Sequence, residues 1–469
     1  MTQYENHSVL ISNLLDYKGY GGQMLSIRRE IQSGIEDDLN QKTASCCQFY
    51  TLLVGSKAEG LTAPFENDLD MMQVLKDTVC KEHSTLVEHQ EEHEEEHQFK
   101  LVSDLSRPGY SLLQTIHICD SLDTATLLYK SMVELAPDNL YLSSDFLKNE
   151  IKKLLIGICK LPGNQGFANV HNETQGPSIV INKSETPSDT VVALRCECPS
   201  YLFAWKSRKR NHQWPPIAVV REVSSLDSHV VPVGHTGSCL QSLEWRICFT
   251  KGEIKLVHSL NDCLTKVLIL LKQIAKVTLK PLSKDMSSYL MKNVVFWLAE
   301  LNDYDYFTQD ALIVALKKAL ADLKKFVVAN NFPSYMIPQR NLLEGKLTHS
   351  QRIKICMRID SLLKEGPYMV LKIGKIRNAI SMCYKSPTVF SRITMKLHEM
   401  HINFYLFLKF LILSLPKSPR VPDDIVRSLF SNSIVGIFWI RFSLSMLDVA
   451  QCYKDIGEIK FLDCSNVLC

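Results

Sequence analysis

The sequence predicts an α+β protein, a mixed sheet with flanking helices followed by an all-helical region. Three observations predict it. Short β-branched and apolar runs, which suit strands, fall in the first half of the chain, next to glycine or aspartate. From about residue 254, apolar residues recur at helical spacing with no strand signal between them. Finally, 469 residues, 46% of them hydrophobic and 22% charged, suffice for two or three globular cores.

Taken in order, residues 1–44 read as a helical lead-in, with a helix of mixed polar and apolar residues over roughly 17–43. FYTLLV at 49–54 suits a buried strand that stops at Gly55, and DLDMMQVL at 68–75 suits a second strand. Residues 82–98 are acidic and histidine-rich. Such a block cannot bury a core, so it reads as an exposed loop insertion or a solvated helix. His93 to His97 fits H-E-x-x-H, with His89 on the same helical face, but no apolar positions surround it. Residues 142–156 have amphipathic helical spacing with Ser143 or Ser144 as N-cap, and 162–177 form a Gly, Pro and Asn-rich loop. Asp189 heads the strand TVVAL at 190–194.

Helices follow over 260–279, 286–301, 310–328 and 342–363. The expected domains are 45–253, 254–366 and a helical extension at 367–469 whose role the sequence leaves open. Residues 402–415 are apolar but carry Lys409, stop at Pro416, and fall short of the ~20 residues a bilayer needs. A buried helix is expected there, and no membrane partner.

Composition sets limits. A net charge of +3, from 53 Lys and Arg against 50 Asp and Glu, does not make a general wrapper for nucleic acid. The N-terminus has no secretory pattern. The 15 cysteines include no C-x-x-C pair, so no structural zinc is expected. A reducing compartment follows: the cytoplasm, with the nucleus open.

The chemistry concentrates at two short motifs. Asp68 and Asp70 flank Leu69, and alternate strand residues share a face. Like charges held that close are kept mainly where a cation neutralises them. Mg²⁺ or Mn²⁺, as a pair of ions about 3.5–4 Å apart, is the usual reason. Asp189 is the candidate third carboxylate. Gly55 lets backbone approach a phosphate, and Ser56 offers a hydroxyl and an N–H to the same anion. A phosphate held there beside metal sets up in-line attack on an α-phosphorus, which is nucleotidyl transfer. A separate basic cluster, Lys206, Arg208, Lys209 and Arg210, lies between Trp205 and Trp214. It could contact a phosphate backbone or form a solvated loop.

The run GSKAEGLTAPFENDLDMM resembles the Mab-twenty-one-like family, which includes cyclic GMP-AMP synthase and its receptor-like relatives. SDTVVAL, VVPVGH, LEWRICF, DMSSYLMKNVVFW and YMIPQRNLL match in the same order, over roughly residues 45–365. The resemblance implies a nucleotidyltransferase-fold core, then a helix-hairpin-helix or helix-two-turn-helix-like domain, with nucleotides in the cleft between. It implies that Asp68, Asp70 and Asp189 ligate metal and catalyse, and that Gly55 and Ser56 hold a triphosphate of ATP or GTP. Arg246, Ser288, Tyr289 and Lys292 would contact nucleotide. The implied product is a cyclic dinucleotide made in innate immune sensing; the alternative is a non-catalytic binding or scaffolding member. Residues 250–262 hold His258 but no cysteine cluster, so the zinc insertion of the DNA sensor is absent and double-stranded RNA suits better than DNA. Cys248 stands where serine is common, which leaves nucleotide choice open.

Overall fold

The computed structural model describes residues 4–44, 47–62, 69–82, 95–159, 169–170, 176–183 and 186–414. Its strands are β1 (Phe49–Val54), β2 (Leu69–Lys81), β3 (His97–Val102), β4 (Tyr110–His117), β5 (Met132–Ala136), β6 (Asn139–Leu142), β7 (Asn169–Val170), β8 (Ser178–Lys183), β9 (Thr186–Glu197), β10 (Ser228–Val231) and β11 (Trp245–Cys248). They form one mixed sheet in the order β1-β2-β3-β4-β11-β10-β9-β8-β7, and β2 also pairs with β9, so the path returns on itself.

The centre is the parallel pair β2 and β9. Val74, Leu75, Val79 and Cys80 on one strand, and Val192, Ala193, Leu194 and Cys196 on the other, are all buried. Strands covered on both faces carry near-continuous apolar runs instead of alternation, which is why these two were legible in the sequence.

The lead-in is two helices, not one. α1 (Glu5–Leu15) ends in a π turn over Asp16–Tyr20, and α2 (Gly22–Thr43) follows. Gly19, at φ 82°, makes the break. α1 docks on the helical region through Lys266, whose buried Nζ lies 2.6 Å from Asp16, 2.6 Å from Asp262 and 2.8 Å from the Ser12 hydroxyl. α2 runs beside β1: Asn40 exchanges hydrogen bonds with the backbone of Thr51, and Leu53 N–H donates to Glu36.

After β1 comes the single turn α3 (Gly55–Ala58), then α4 (Ala125–Tyr129) and α5 (Ser144–Cys159). Ser143 caps α5, its Oγ accepting from Phe146 N–H. Next are α6 (Pro199–Ser207), α7 (Ile217–Ser225), α8 (Thr250–His258) and α9 (Asp262–Ile274), which continues as a π turn over Ala275–Leu279. α10 (Ser288–Glu300), α11 (Leu312–Ala329) and α12 (His349–Glu365) complete the expected bundle, and α13 (Gly374–Lys385) and α14 (Pro387–Ser414) extend it. The helix expected to start at 342 starts at His349, where Thr348 and Gln351 form a capping box; before it, Pro333 and Asn341 form an isolated bridge.

Two further expectations change. His97 is neither solvated nor helical: it opens β3, is buried, bonds the Thr124 hydroxyl and accepts from Cys119 N–H. His89 and His93 lie outside the described residues, as do most of 162–177. No helix among the described residues is long and apolar enough to cross a membrane. Residues 402–414 belong to α14, with Asn403 buried and Lys409 exposed.

Candidate active site

Asp70 and Asp189 are register partners on the parallel strands β2 and β9. Neighbouring strands lie about 4.8 Å apart and paired residues share a face, so the two carboxylates stand side by side. Val54 pairs with Asp70 on one side and Val180 with Asp189 on the other. Asp70 is half-buried and Asp189 exposed. Asp189 sits inside β9, not at its head. Asp68 lies outside the described residues. Among the described residues no three His, Cys, Asp or Glu side chains gather into a metal-holding group.

Glycine at 55 has a concrete cause. Its φ is +68°, and a Cβ there would lie 2.0 Å from Asp70 Oδ2 and 2.9 Å from Asp70 Cγ. The Asp70 carboxylate occupies the space any larger residue would need. The next residue, Ser56, accepts a hydrogen bond from Lys272 Nζ at 2.7 Å. The sheet and the helical region therefore touch at the floor of a cleft.

That cleft is a cavity of about 420 Å³. Ser56, Thr62, Asp70 and Asp189 line its sheet side; Lys272, Lys276, Lys280, Lys284, Ser287 and Ser288 line its helical side. The four lysines recur every four residues along α9, its π turn and the loop beyond. Like charges at that spacing repel on a helix, so an anion in the cavity relieves them. Lys276, Lys280 and Lys284 are exposed and make no ion pair among the described residues. The sequence reasoning missed this ladder, although its four-residue period is plain in LLKQIAKVTLKPLSK. Four ammonium groups opposite two carboxylates suit a polyphosphate accompanied by a cation.

Behind this wall lies a buried bracket. Lys292 pairs with Glu59 at 3.0 Å and with Glu253 at 2.9 Å, and the Tyr289 hydroxyl donates to Glu253 at 3.0 Å. Burial opposes charge on Glu59, but Lys292 and Lys272 outweigh it and hold the carboxyl below its usual range. Burial likewise opposes charge on Lys292, yet Glu253 and Glu59 raise it above the ordinary lysine value. Burial, then Glu253, pushes the Tyr289 phenol up to about 12. The bracket ties α10 and α8 to the turn that carries Ser56.

Of the expected site residues, Ser56, Asp70, Asp189 and Ser288 therefore meet in the cavity wall, with Gly55 beneath. Tyr289 and Lys292 belong to the bracket. Arg246 is on β11 beside Tyr110 and is not among the residues that line the cavity.

Residues 243–361 match the family model described as Mab-21 protein HhH/H2TH-like domain. The match supports membership of the Mab-21-like family. That family is nucleotidyltransferase-like. The matched segment of this Mab-21-like chain begins just before β11, runs through α8 to α12, and contains the lysine ladder, Ser288 and the bracket residues Glu253 and Lys292. Asp70 and Asp189 lie ahead of it, on the sheet.

The basic cluster of this Mab-21-like chain divides. Arg208 donates to Glu300 at 2.8 Å and to the Tyr335 carbonyl at 2.8 Å, and packs over Trp297 and Tyr335. Arg210 donates to the same buried Glu300 at 3.1 Å and lies over Trp205. These two guanidinium groups are engaged inside the fold and are not a free surface for a phosphate backbone. Lys206 and Lys209 are exposed.

Proposed function

We propose that this Mab-21-like chain is a ligand-activated nucleotidyltransferase that joins two nucleoside triphosphates, drawn from ATP and GTP, into a cyclic dinucleotide. In this reading it acts in the cytoplasm or nucleus in innate immune sensing, and double-stranded RNA is the activating ligand. The observation that carries the reading is the side-by-side placement of Asp70 and Asp189 across from Ser56 and Lys272 in one cavity.

The donor set fits a hard divalent cation, since Asp70 and Asp189 offer adjacent carboxylate oxygens and Asp68 precedes them by two residues. Bound there, Mg²⁺ or Mn²⁺ would supply Lewis-acid polarisation of a phosphate. The chain's own groups do the rest. Ser56 and the lysines 272, 276, 280 and 284 hold the triphosphate in line, which replaces a bimolecular search by fixed orientation. An acceptor sugar hydroxyl attacks the α-phosphorus, the bond to the α,β-bridging oxygen breaks, and pyrophosphate leaves. The hydroxyl proton passes to Asp189, the more exposed carboxylate. A second round in the opposite sense closes the ring.

The test is incubation of the full chain with the four nucleoside triphosphates and Mg²⁺ or Mn²⁺, with and without double-stranded RNA or DNA, followed by mass spectrometry. A cyclic dinucleotide that disappears in Asp70→Asn and Asp189→Asn is the expected result. No product under any condition would leave a binding or scaffolding role in its place, and a lengthened RNA would mean linear addition.

A further inference from the structure

The strand register extends the catalytic face to a second cationic station. Asp70 pairs with Asp189, so Met72 lies beside Val191 and Val74 beside Ala193. Val230 pairs with Leu194, which sets Val231 beside Ala193, and Val231 pairs with Arg246, which in turn pairs with Tyr110. Because paired residues share a face, Asp70, Asp189, Arg246 and Tyr110 all project from the same side of the sheet. Arg246 lies two strands across and four residues along from Asp189, on the order of 16 Å between Cα atoms at ordinary strand spacings.

Around Tyr110 the cations gather. The Arg340 guanidinium lies 5.1 Å from the centre of the Tyr110 ring. Its Cδ is 2.9 Å from where a Cβ on Gly109 would be, so the arginine packs directly across the start of β4. Lys346 completes the group. It is exposed as a residue, yet desolvation, then the positive fields of Arg340 and Arg246, lower its pKa against the pull of Asp285. None of the three cations makes an ion pair among the described residues; the nearby Glu344 is within 3.6 Å of both Arg107 and His235. Asp285 and Tyr289 are chain neighbours of Lys284, Met286, Ser287 and Ser288, which line the cavity itself. Three neighbouring cations with only Asp285 to offset them repel one another, and a polyphosphate accepting charge-assisted hydrogen bonds would relieve that repulsion.

We propose that Arg340 and Lys346, with Arg246, form a second anion subsite that holds the phosphates of the acceptor nucleoside triphosphate. This deepens the nucleotidyltransferase reading and rests on it: the cavity takes the triphosphate under attack, and the second station holds the partner whose hydroxyl attacks.

Calorimetric titration tests it, using the full chain with Mg²⁺ and ATP or GTP analogues carrying a methylene between the α- and β-phosphorus. Wild type is expected to bind two analogues per chain. R340Q/K346Q is expected to keep one site at unchanged affinity and to weaken the other at least tenfold. Inorganic tripolyphosphate is expected to compete for the weakened site in wild type, and Arg340→Lys to recover part of the affinity. A matched thermal melting curve for the double variant confirms that it folds. If wild type binds one analogue and the double variant binds it equally well, the second subsite is wrong and the nucleotidyltransferase reading stands. If wild type binds none, both fall together.

Discussion

Lys272 and Ser56 meet across the cleft, with Nζ 2.7 Å from Oγ. One sits on a helix of the Mab-21 HhH/H2TH-like segment and the other on the turn after the first strand. On the nucleotidyltransferase reading proposed above, this is where a phosphate would be held, because a hydroxyl and an ammonium already converge there. Lys272→Ala is expected to lower kcat/KM for product formation on the order of a hundredfold, the scale of losing one aimed donor in a low-dielectric site. Lys280→Ala, at the exposed end of the ladder, is expected to raise KM with a smaller effect on kcat. Steady-state kinetics with the product quantified by mass spectrometry separates the two, and equal effects on both parameters for Lys280→Ala would put it at the reacting phosphate.

Gly55→Ala is expected to damage the site more than the fold. The left-handed backbone costs a non-glycine residue about 1–2 kcal/mol, which lowers the melting temperature by a few degrees. The new Cβ must also displace the Asp70 carboxylate, which lies 2.0 Å from it. Product formation is therefore expected to fall as far as in Asp70→Asn, while the melting curve stays cooperative. Activity that merely tracks the lost stability would show that Asp70 can move without consequence.

The parts legible in the sequence were those whose cause is local or whose burial is two-sided. β1, β2 and β9 were visible because the central strands are nearly all apolar, and α9 to α11 because their apolar stripes are long. The Asp70 and Asp189 pairing was visible as a pattern but not as a distance. α1 was read only as part of the helical lead-in and not as a separate helix, because it buries Ser8 and Ser12 among its apolar positions, which blurs the helical stripe. β10 and β11 are four residues each, too short for a period to register. The bracket could not be read at all: Glu59 and Lys292 are 233 positions apart, and no spacing rule joins them. His97 was misread because the acidic run before it hid the first residue of a buried strand.

Stability is expected to fall with pH between about 6.5 and 4. Burial, then Lys251, lowers His229 to about 4; burial, then Arg29, lowers His258 to about 4. Both histidines are held neutral in the folded chain, so within this window the unfolded chain binds more protons. Stability then rises with pH: the contribution is fully present above 6.5 and lost as pH falls towards 4. Glu59 acts in the same sense but lower down, below the ordinary carboxyl range, because its pKa is depressed. Denaturant midpoints at pH 7.5 and pH 5 measure the slope, which is expected to be shallower in His229→Gln and in His258→Asn. An unchanged slope in both variants would assign the acid sensitivity to other groups.

Glu300 decides whether the basic cluster is structural or a surface for nucleic acid. It is buried and accepts from Arg208 at 2.8 Å, Arg210 at 3.1 Å and the Tyr335 hydroxyl at 2.6 Å. Removing one partner of a buried ionic group leaves uncompensated charge, at a cost of about 3–5 kcal/mol. Glu300→Gln is therefore expected to lower the denaturant midpoint substantially, with the two guanidinium groups left facing each other. K206A/K209A touches only exposed side chains and is expected to leave the midpoint unchanged. If double-stranded RNA binds this face, the same double variant weakens RNA binding and flattens its salt dependence, since each lost phosphate contact reduces the slope. RNA affinity measured across a salt series gives the answer. Unaltered affinity and slope would move the RNA surface away from α6, whatever Glu300→Gln does to the fold.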